Sequence, residues 1–198
     1  MLFADIVGFT TMSAAMPPDR IVALLNELFS SFDDLAGKLG LEKIKTIGDC
    51  YMVAGGLPEP RPDHAEAVAE MALHMLDIIE DMAAQSGEPL TIRIGIHSGP
   101  VVAGVIGKRK FIYDLWGDTV NVASRMESHG LPGAIQLSEA AARRLDGKYR
   151  LRPRGVIEIK GKGAMETWYL VGPRGAAAAP DPAAPSETDR TEEIRATA

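Results

Sequence analysis

This sequence of 198 residues has a single cysteine, no long apolar run and no excess of basic residues. Its one cysteine, Cys50, excludes an internal disulfide and is typical of a protein from a reducing compartment. No apolar run approaches the roughly 20 residues that a membrane-spanning helix needs. The 21 Lys and Arg against 27 Asp and Glu, a net charge of −6, disfavour a broad nucleic-acid or anionic-membrane surface. We therefore expect a cytoplasmic chain with no nucleic-acid partner and no membrane contact of its own.

Enough apolar sequence is present for one folded domain. The hydrophobic share of 46% is ordinary for a globular protein, so the chain can build a core without disulfides. From Pro173 onward, Ala, Pro, Thr and acidic residues dominate. We predict a folded domain over residues 1–172 and a disordered tail over residues 173–198. Because the first residues already resemble a strand, we also expect the chain to be a domain cut from something longer.

Hydrophobic periodicity predicts an α+β fold. Helices are predicted at residues 19–40, 64–84, 118–128 and 140–145. Strands are predicted at residues 1–7, 41–47, 51–54, 90–96, 100–106, 111–116, 135–137, 156–160 and 167–171. A glycine-first turn at Gly48-Asp49 joins two of these strands as a β-hairpin. Two helices on one face of a mostly antiparallel sheet fit this order, which predicts a ferredoxin-like βαββαβ sandwich with additional C-terminal strands and a helix.

Two acidic residues are placed to meet at one edge of such a sheet. Asp5 lies at the end of the first strand, and Asp49 lies in the hairpin turn that is expected beside that strand. Gly8 permits the backbone to turn and present N–H groups. Paired carboxylates beside exposed amides fit a magnesium and phosphate site. Taken alone, each Asp is better explained as the cap of its own turn.

Five blocks of sequence, spread over residues 3–170, together carry a family resemblance. They are FADIVGFT at 3–10, KIKTIGDCYM at 43–52, RIGIHSGPVVAGVIG at 93–107, YDLWGDTVNVASRME at 113–127 and IKGKGAMETWYL at 159–170. In this order they resemble the class III nucleotidyl cyclase catalytic domain, and most of all the membrane-anchored, mycobacterial-type adenylate cyclases that are similar to the mammalian ones. The resemblance implies a cytoplasmic catalytic domain of a membrane protein, anchored through a missing N-terminal region.

The resemblance implies a metal and triphosphate half-site. Asp5 and Asp49 would bind two divalent cations, Mg²⁺ or Mn²⁺, with the carbonyl of Ile6 assisting. The triphosphate would be held by four backbone amides, those of Val7, Gly8, Phe9 and Thr10. Two cations suit the chemistry, since one lowers the pKa of the ribose 3′-OH that attacks the α-phosphorus and the other neutralises the leaving pyrophosphate.

A second set of residues is implied to bind the rest of the nucleotide. Asn121 and Arg125 lie four apart on one helix face. The resemblance implies that Asn121 orients the ribose, that Arg125 stabilises charge on the α-phosphate in the transition state, and that Lys160 contacts the β- and γ-phosphates. A planar guanidinium suits phosphate oxygens, although in an unrelated sequence Arg125 would more simply be a solvated surface charge. Lys162 is expected to be a surface residue with no role in the site.

Lys45 and Asp114 occupy the positions that select the base in this family. Adenine presents an acceptor at N1 and a donor amine at N6, whereas guanine presents the reverse. Lysine only donates and ionised aspartate only accepts. The family pairs Lys with Asp or Thr for ATP, and Glu with a small residue such as Cys for GTP. The sequence therefore predicts ATP as the substrate.

The resemblance therefore predicts an adenylate cyclase that converts ATP to 3′,5′-cyclic AMP and pyrophosphate. It would act as a head-to-tail homodimer with active sites shared between the two chains. A guanylate cyclase and a catalytically silent nucleotide-binding regulatory domain are the alternatives. An RNA-binding domain would show aromatic residues and a basic balance on its central strands. A diguanylate cyclase would carry a GGDEF-like turn, and a Walker-type ATPase would carry a lysine where Val105 stands.

Overall fold

The computed structural model describes residues 1–106 and 112–175. These form, in chain order, β1 (Leu2–Ile6), α1 (Phe9–Ala15), α2 (Pro18–Leu39), β2 (Glu42–Ile47), β3 (Cys50–Ala54), α3 (His64–Ser86), β4 (Ile92–Ile96), β5 (Val102–Ile106), β6 (Ile112–Trp116), α4 (Asp118–Ser128), β7 (Ile135–Ser138), α5 (Glu139–Leu145), β8 (Tyr149–Ile159) and β9 (Gly163–Pro173). Residues 107–111 and 176–198, which include most of the predicted tail, lie outside the described residues.

The main sheet has the strand order β2-β3-β1-β4-β7-β9-β8. Its first four strands, with α2 and α3, have the ferredoxin-like connection order, and β7, α5, β8 and β9 extend the sheet as additional C-terminal elements. The β4–β7 pair is parallel, whereas the other paired strands are antiparallel. The predicted α+β sandwich is confirmed. Strands β5 and β6 form a separate two-stranded sheet.

The alternation of side chains along β1 divides the molecule into two layers. Leu2, Ala4 and Ile6 face a core built mainly with α2 and α3, because successive strand residues point to opposite faces. Phe3 points the other way and packs with Leu115 of β6 and Ala123 of α4. Asp5, next but one after Phe3, therefore lies on the face that α4 covers. No helix among the described residues is both long and apolar enough to cross a membrane.

The predicted elements differ from the structure in a few places. Helix α1 was not predicted, because its sequence FTTMSAA is short and lacks a helical stripe. Strand β8 begins seven residues earlier than residue 156, since Pro153 and Gly155 lie at a register shift that interrupts the strand pattern. Strand β9 includes Pro173, and the Arg174 N–H donates to the Lys148 carbonyl at 2.9 Å, so regular structure extends slightly past residue 172.

Helix α4 lies directly on β4 because Gly95 has no side chain. A Cβ at Gly95 would lie 1.9 Å from the backbone nitrogen of Glu127. Neither partner can move cheaply, because one is the centre of a sheet and the other is helix backbone. The contact sets the depth at which α4 packs.

We predict that Gly95→Ala lowers the free energy of unfolding by about 3 kcal/mol, through overpacking against helix backbone. The exposed Gly37→Ala in α2 is the matched control, since a Cβ there meets nothing within 4 Å. That variant should gain roughly 0.5 kcal/mol from helix propensity. Urea unfolding of both variants measures the difference, and equal stabilities would show that α4 does not depend on Gly95.

Candidate active site

The structure brings Asp5 and Asp49 together at one edge of the sheet. Asp49 lies in the two-residue turn between β2 and β3, where Gly48 has a φ of 62°. Strand β3 pairs with β1 so that Ala4 lies opposite Tyr51, which places this turn beside the end of β1. Burial raises the pKa of Asp5, and the neighbouring negative charge of Asp49 raises it further. Such mutual repulsion is what a divalent cation between two carboxylates relieves.

Two further charged residues, neither of them predicted from the sequence as a site residue, complete this cluster. Arg93 of β4 lies opposite Asp5 in the strand register, and its Nη2 lies 3.4 Å from Asp5 Oδ2. The Arg93 Nε donates to Glu127 Oε1 of α4 at 3.1 Å. Both residues stand inside quoted sequence blocks, but only the β1–β4 register and the α4 packing show that they meet Asp5. The cluster therefore holds three carboxylates, of which Asp5 and Glu127 contact the one guanidinium.

Glu127 is the most buried of these carboxylates, with a side chain that is 9% exposed. Burial raises its pKa to about 7, and the negative charges of Asp5 and Asp49 add to the rise, against the lowering effect of Arg93. Without a cation, this face of the sheet carries more negative charge than its surroundings neutralise.

The backbone that follows β1 is shaped for an anion, but one predicted amide is already in use. The Val7 N–H donates to the Thr91 carbonyl at 2.9 Å. Gly8 has a φ of 70° and precedes α1, whose first residues are Phe9 and Thr10. The first N–H groups of a helix have no intrahelical acceptor. The structure thus narrows the candidate phosphate amides to those of Gly8, Phe9 and Thr10.

The residues present fit divalent cations. Within the described ranges, no group of three His, Cys, Asp or Glu side chains is arranged to hold a metal ion. The Ile6 side chain is apolar and buried in the core, so the backbone carbonyl is the only group of this residue that could bind a cation. Two carboxylates and a carbonyl suit Mg²⁺ or Mn²⁺, which accept oxygen ligands and leave positions for water and phosphate oxygens.

Asn121, Arg125 and Lys160 line a separate cleft of about 420 Å³. The first two lie on the exposed face of α4, and Lys160 lies between β8 and β9. In the described part of the chain, the side chains of Arg125 and Lys160 have no ion-pair partner, whereas Lys162 and Asp118, which also line the cleft, pair with each other. Two uncompensated cations therefore share a cleft with an amide, which is an arrangement that binds phosphate.

Lys45 of β2 and Asp114 of β6 form an ion pair. The Lys45 Nζ lies 2.5 Å from Asp114 Oδ2, and the Leu115 N–H donates to Asp114 Oδ1 at 2.8 Å. Burial alone would raise the pKa of Asp114, but these two hydrogen bonds hold it below its ordinary value. At neutral pH the pair presents one donor and one acceptor side by side.

The two halves of the candidate site do not meet in one chain. Helix α4 turns Glu127 towards the sheet and Asp5, while Asn121 and Arg125 are exposed. The residues that line the cleft of Asn121 include neither Asp5 nor Asp49. Within one chain, the cleft and the aspartate pair are therefore separate features.

The sequence pattern of the adenylate and guanylate cyclase catalytic domain matches residues 1–172. The chain belongs to this family. An adenylate cyclase of Mycobacterium tuberculosis (strain H37Rv) is 51% identical over 89% of this chain and 40% of its own length. A rat guanylate cyclase, soluble subunit beta-2, is 50% identical over 86% of this chain and 25% of its own. The chain thus spans less than half of these relatives, and overall identity does not separate the two activities.

Solved cyclase domains have the same fold. The guanylate cyclase domain of RhGC from Catenaria anguillulae, determined with GTP, has a TM-score of 0.84 and 39% identity, covering 87% of this chain and 95% of that one. A guanylyl cyclase domain of the RhoGC fusion protein from Blastocladiella emersonii, described as a non-canonical dimer, has a TM-score of 0.80 and 37% identity, covering 87% of this chain and 95% of that one. Cyclase domains thus bind nucleotide and act as dimers in related structures.

The raised pKa of Glu127 predicts a pH-dependent stability of this cyclase domain in EDTA. The folded state binds the Glu127 proton more tightly than the unfolded state, so the wild type loses stability as the pH rises from 4.5 through about 7. A glutamine side chain at this position has no proton to lose. We therefore expect the stability of Glu127→Gln, relative to the wild type, to increase by roughly 2 kcal/mol between pH 5 and pH 8.

Glu66→Gln is the control for this titration. In the wild type, a hydrogen bond with Lys148 holds the pKa of Glu66 below its ordinary value. Glu66 is therefore ionised in both the folded and the unfolded state above pH 5. Its stability difference from the wild type should stay constant over the same range. Urea unfolding at each pH measures both variants, and a flat profile for Glu127→Gln would contradict the raised pKa.

Proposed function

We propose that this cyclase domain is an adenylate cyclase that converts ATP to 3′,5′-cyclic AMP and pyrophosphate. The ion pair of Lys45 and Asp114 is the observation that carries the proposal. The ammonium group can donate to adenine N1, and the carboxylate can accept from the N6 amine. In guanine, by contrast, the N1–H donor would face the Lys45 ammonium, which is also a donor, and the O6 acceptor would face the Asp114 carboxylate. These polar groups would be left without hydrogen-bond partners.

The chain's own residues account for the remaining contacts of the reaction. The amides of Gly8, Phe9 and Thr10 would hold the triphosphate, and Asn121 would orient the ribose for attack by its 3′-OH. Arg125 would stabilise the charge that develops on the α-phosphate, and Lys160 would bind the β- and γ-phosphates of the leaving pyrophosphate.

Divalent cations, when bound at Asp5 and Asp49 with the Ile6 carbonyl, would supply Lewis-acid activation of the 3′-OH and charge neutralisation of pyrophosphate. Asp5 and Asp49 would hold them at the β1 end of the sheet. No side-chain base is then required.

A head-to-tail homodimer is the assembly that we propose for activity. Each site would take Asp5 and Asp49 from one chain and the base-binding and cleft residues from the other, giving two equivalent sites. The β5–β6 sheet supports an interface, because Val102, Val105 and Ile106 are each more than half exposed on it. The domain from Blastocladiella emersonii, a non-canonical dimer, is a precedent for pairing but not for the head-to-tail arrangement. Membrane anchoring of a longer protein stays a prediction.

The two alternatives are weaker on this chain. The 50% sequence identity with the rat guanylate cyclase favours a guanylate cyclase. Recognition of guanine, however, requires a hydrogen-bond acceptor at the position of Lys45. A silent regulatory domain would have no reason to retain Arg125 and Lys160 as uncompensated charges beside Asn121 while also retaining the Asp5 and Asp49 pair.

Base selection is tested by Lys45→Glu, alone and with Asp114→Cys. The single variant places a carboxylate against Asp114 and against adenine N1, so we expect the kcat/KM for ATP to fall by roughly 10³-fold or more. The double variant relieves that repulsion and should move the ATP to GTP ratio of kcat/KM towards GTP. Both nucleotides are measured with each protein.

Lys43→Glu is the matched control for this substitution. Lys43 lies on the same strand, is similarly exposed and pairs with Asp33 at 2.6 Å, away from the base-binding pair. Its nucleotide ratio should equal that of the wild type. An unchanged ratio in Lys45→Glu would show that Lys45 does not contact the base.

The shared site is tested by mixing two inactive variants, Asp49→Ala and Asn121→Ala. With random pairing, half of the dimers are mixed and each has one intact site, so about a quarter of wild-type activity should return. A mixture of Asp5→Ala with Asp49→Ala should recover nothing, because both defects lie in the same half-site. No recovery in the first mixture, with mixed dimers shown to form, would contradict the shared site.

A further inference from the structure

We infer that Lys162 is a third phosphate-binding cation of the cleft, and that it exchanges the Asp118 carboxylate for a phosphate group when a polyphosphate binds. Asp118 thereby acts as an internal competitor that lowers the affinity of the cleft for its ligand. This inference rests on the proposed function, since it adds a residue to the phosphate contacts proposed for Arg125 and Lys160.

Lys162 lies at the tip of the β8–β9 hairpin, where the hairpin meets α4. The last strand pair before the tip is Ile159 with Gly163, and the Lys162 N–H donates to the Ile159 carbonyl at 2.8 Å. Ile159 is buried and packs with Val122 and Met126 of α4. This contact holds the base of the tip against the helix, so Lys162 lines the cleft, although sequence alone predicted a surface residue without a role.

The carboxylate of Asp118 neutralises the Lys162 ammonium when the cleft is empty of phosphate. Asp118 is the first residue of α4, where a negative charge is favourable for the helix. In a cleft that binds phosphate, however, the same charge repels the ligand. The two side chains are 61% and 37% exposed, and an ion pair this exposed typically contributes a factor of about five or less to an equilibrium. The pair is therefore weak enough to be exchanged.

A polyphosphate offers Lys162 a stronger partner than Asp118 does. It carries several negative charges, and Arg125 and Lys160 attract it to the same cleft. Lysine binds phosphate as a point charge on a flexible stem, through charge-assisted hydrogen bonds that are stronger than neutral ones. Holding both anions on one ammonium group is unfavourable, because the carboxylate and the phosphate would then repel each other at short range.

The hairpin tip has room for this exchange. Gly161 and Gly163 flank Lys162 with φ values of 82° and 77°, and a Cβ at either glycine would meet nothing within 4 Å. No packed side chain therefore has to move when the Lys162 ammonium turns from the helix N-terminus into the cleft.

The exchange differs measurably from a neutral ion pair that takes no part in binding. If Lys162 stays with Asp118, replacing both by uncharged side chains removes no net charge and leaves the affinity for phosphate unchanged. If Lys162 moves to the phosphate, the double variant loses a ligand and binds more weakly than the wild type. Removal of Asp118 alone then tightens binding, because nothing competes for Lys162.

The experiment measures binding of inorganic tripolyphosphate to the whole chain by isothermal titration calorimetry, at pH 8 with EDTA and without nucleotide. We expect Asp118→Asn to lower the dissociation constant about threefold. Lys162→Met should raise it about five- to tenfold, through loss of a hydrogen bond between charged groups. The double variant should bind about threefold more weakly than the wild type. In activity assays, the inhibition constants of pyrophosphate should follow the same order.

Two variants outside the cleft are matched controls. Lys43 is 36% exposed, close to the 37% of Lys162, and pairs with Asp33. Asp63 precedes α3, is 53% exposed and pairs with Arg61. Lys43→Met and Asp63→Asn therefore remove the same charges from similar settings, and both should bind tripolyphosphate as the wild type does. Urea unfolding checks that every variant is folded, and Lys162→Gln replaces Lys162→Met if the latter is unstable.

Three outcomes would overturn the inference: unchanged or weaker binding in Asp118→Asn, unchanged binding in Lys162→Met, or wild-type affinity in the double variant. Lys160→Met distinguishes a failure of the proposed function. If the wild type binds tripolyphosphate no better than Lys160→Met does, the cleft is not a phosphate site and the role of Lys162 is refuted with it. If Lys160→Met weakens binding and Lys162→Met does not, the inference alone is wrong.

Discussion

The close contact between α4 and β4 at Gly95 is the constraint on which the candidate site depends. It brings helix backbone to a depth that no residue with a side chain would permit. From that position α4 sends Glu127 inward to Arg93 and Asp5, and it presents Asn121 and Arg125 outward to the cleft. One helix thus serves both halves of the site, and its depth against the sheet sets the geometry of each.

Charge is distributed unequally between these halves. The inner face gathers three carboxylates, and burial together with the neighbouring negative charges raises the pKa of Asp5 and of Glu127. The outer cleft instead has Arg125 and Lys160 without acidic partners among the described residues. Each half is suited to what the other lacks, since the first attracts cations and the second attracts phosphate. In the proposed dimer, a metal-bound nucleotide shared between two chains would satisfy both.

Much of the candidate site could be found from the sequence, because its residues lie in short blocks with strong local patterns. The Gly48-Asp49 turn predicted the hairpin, the ferredoxin-like order placed that hairpin beside β1, and the four-residue spacing placed Asn121 with Arg125. Helix α1 and the early start of β8 were missed, because neither has a clear periodic pattern. The Val7 amide is taken up by a hydrogen bond to Thr91, which no local pattern reveals.

The sequence by itself therefore determined the order of helices and strands apart from α1, because periodicity and turn chemistry act over a few neighbouring positions. The residues of the candidate site, with Lys45 and Asp114 among them, came from the family resemblance of short sequence blocks. Only the tertiary structure decided that Arg93 and Glu127 join Asp5 and that the cleft excludes the two aspartates. Those relations arise from strand register and from the depth of helix packing, which connect residues far apart in the chain.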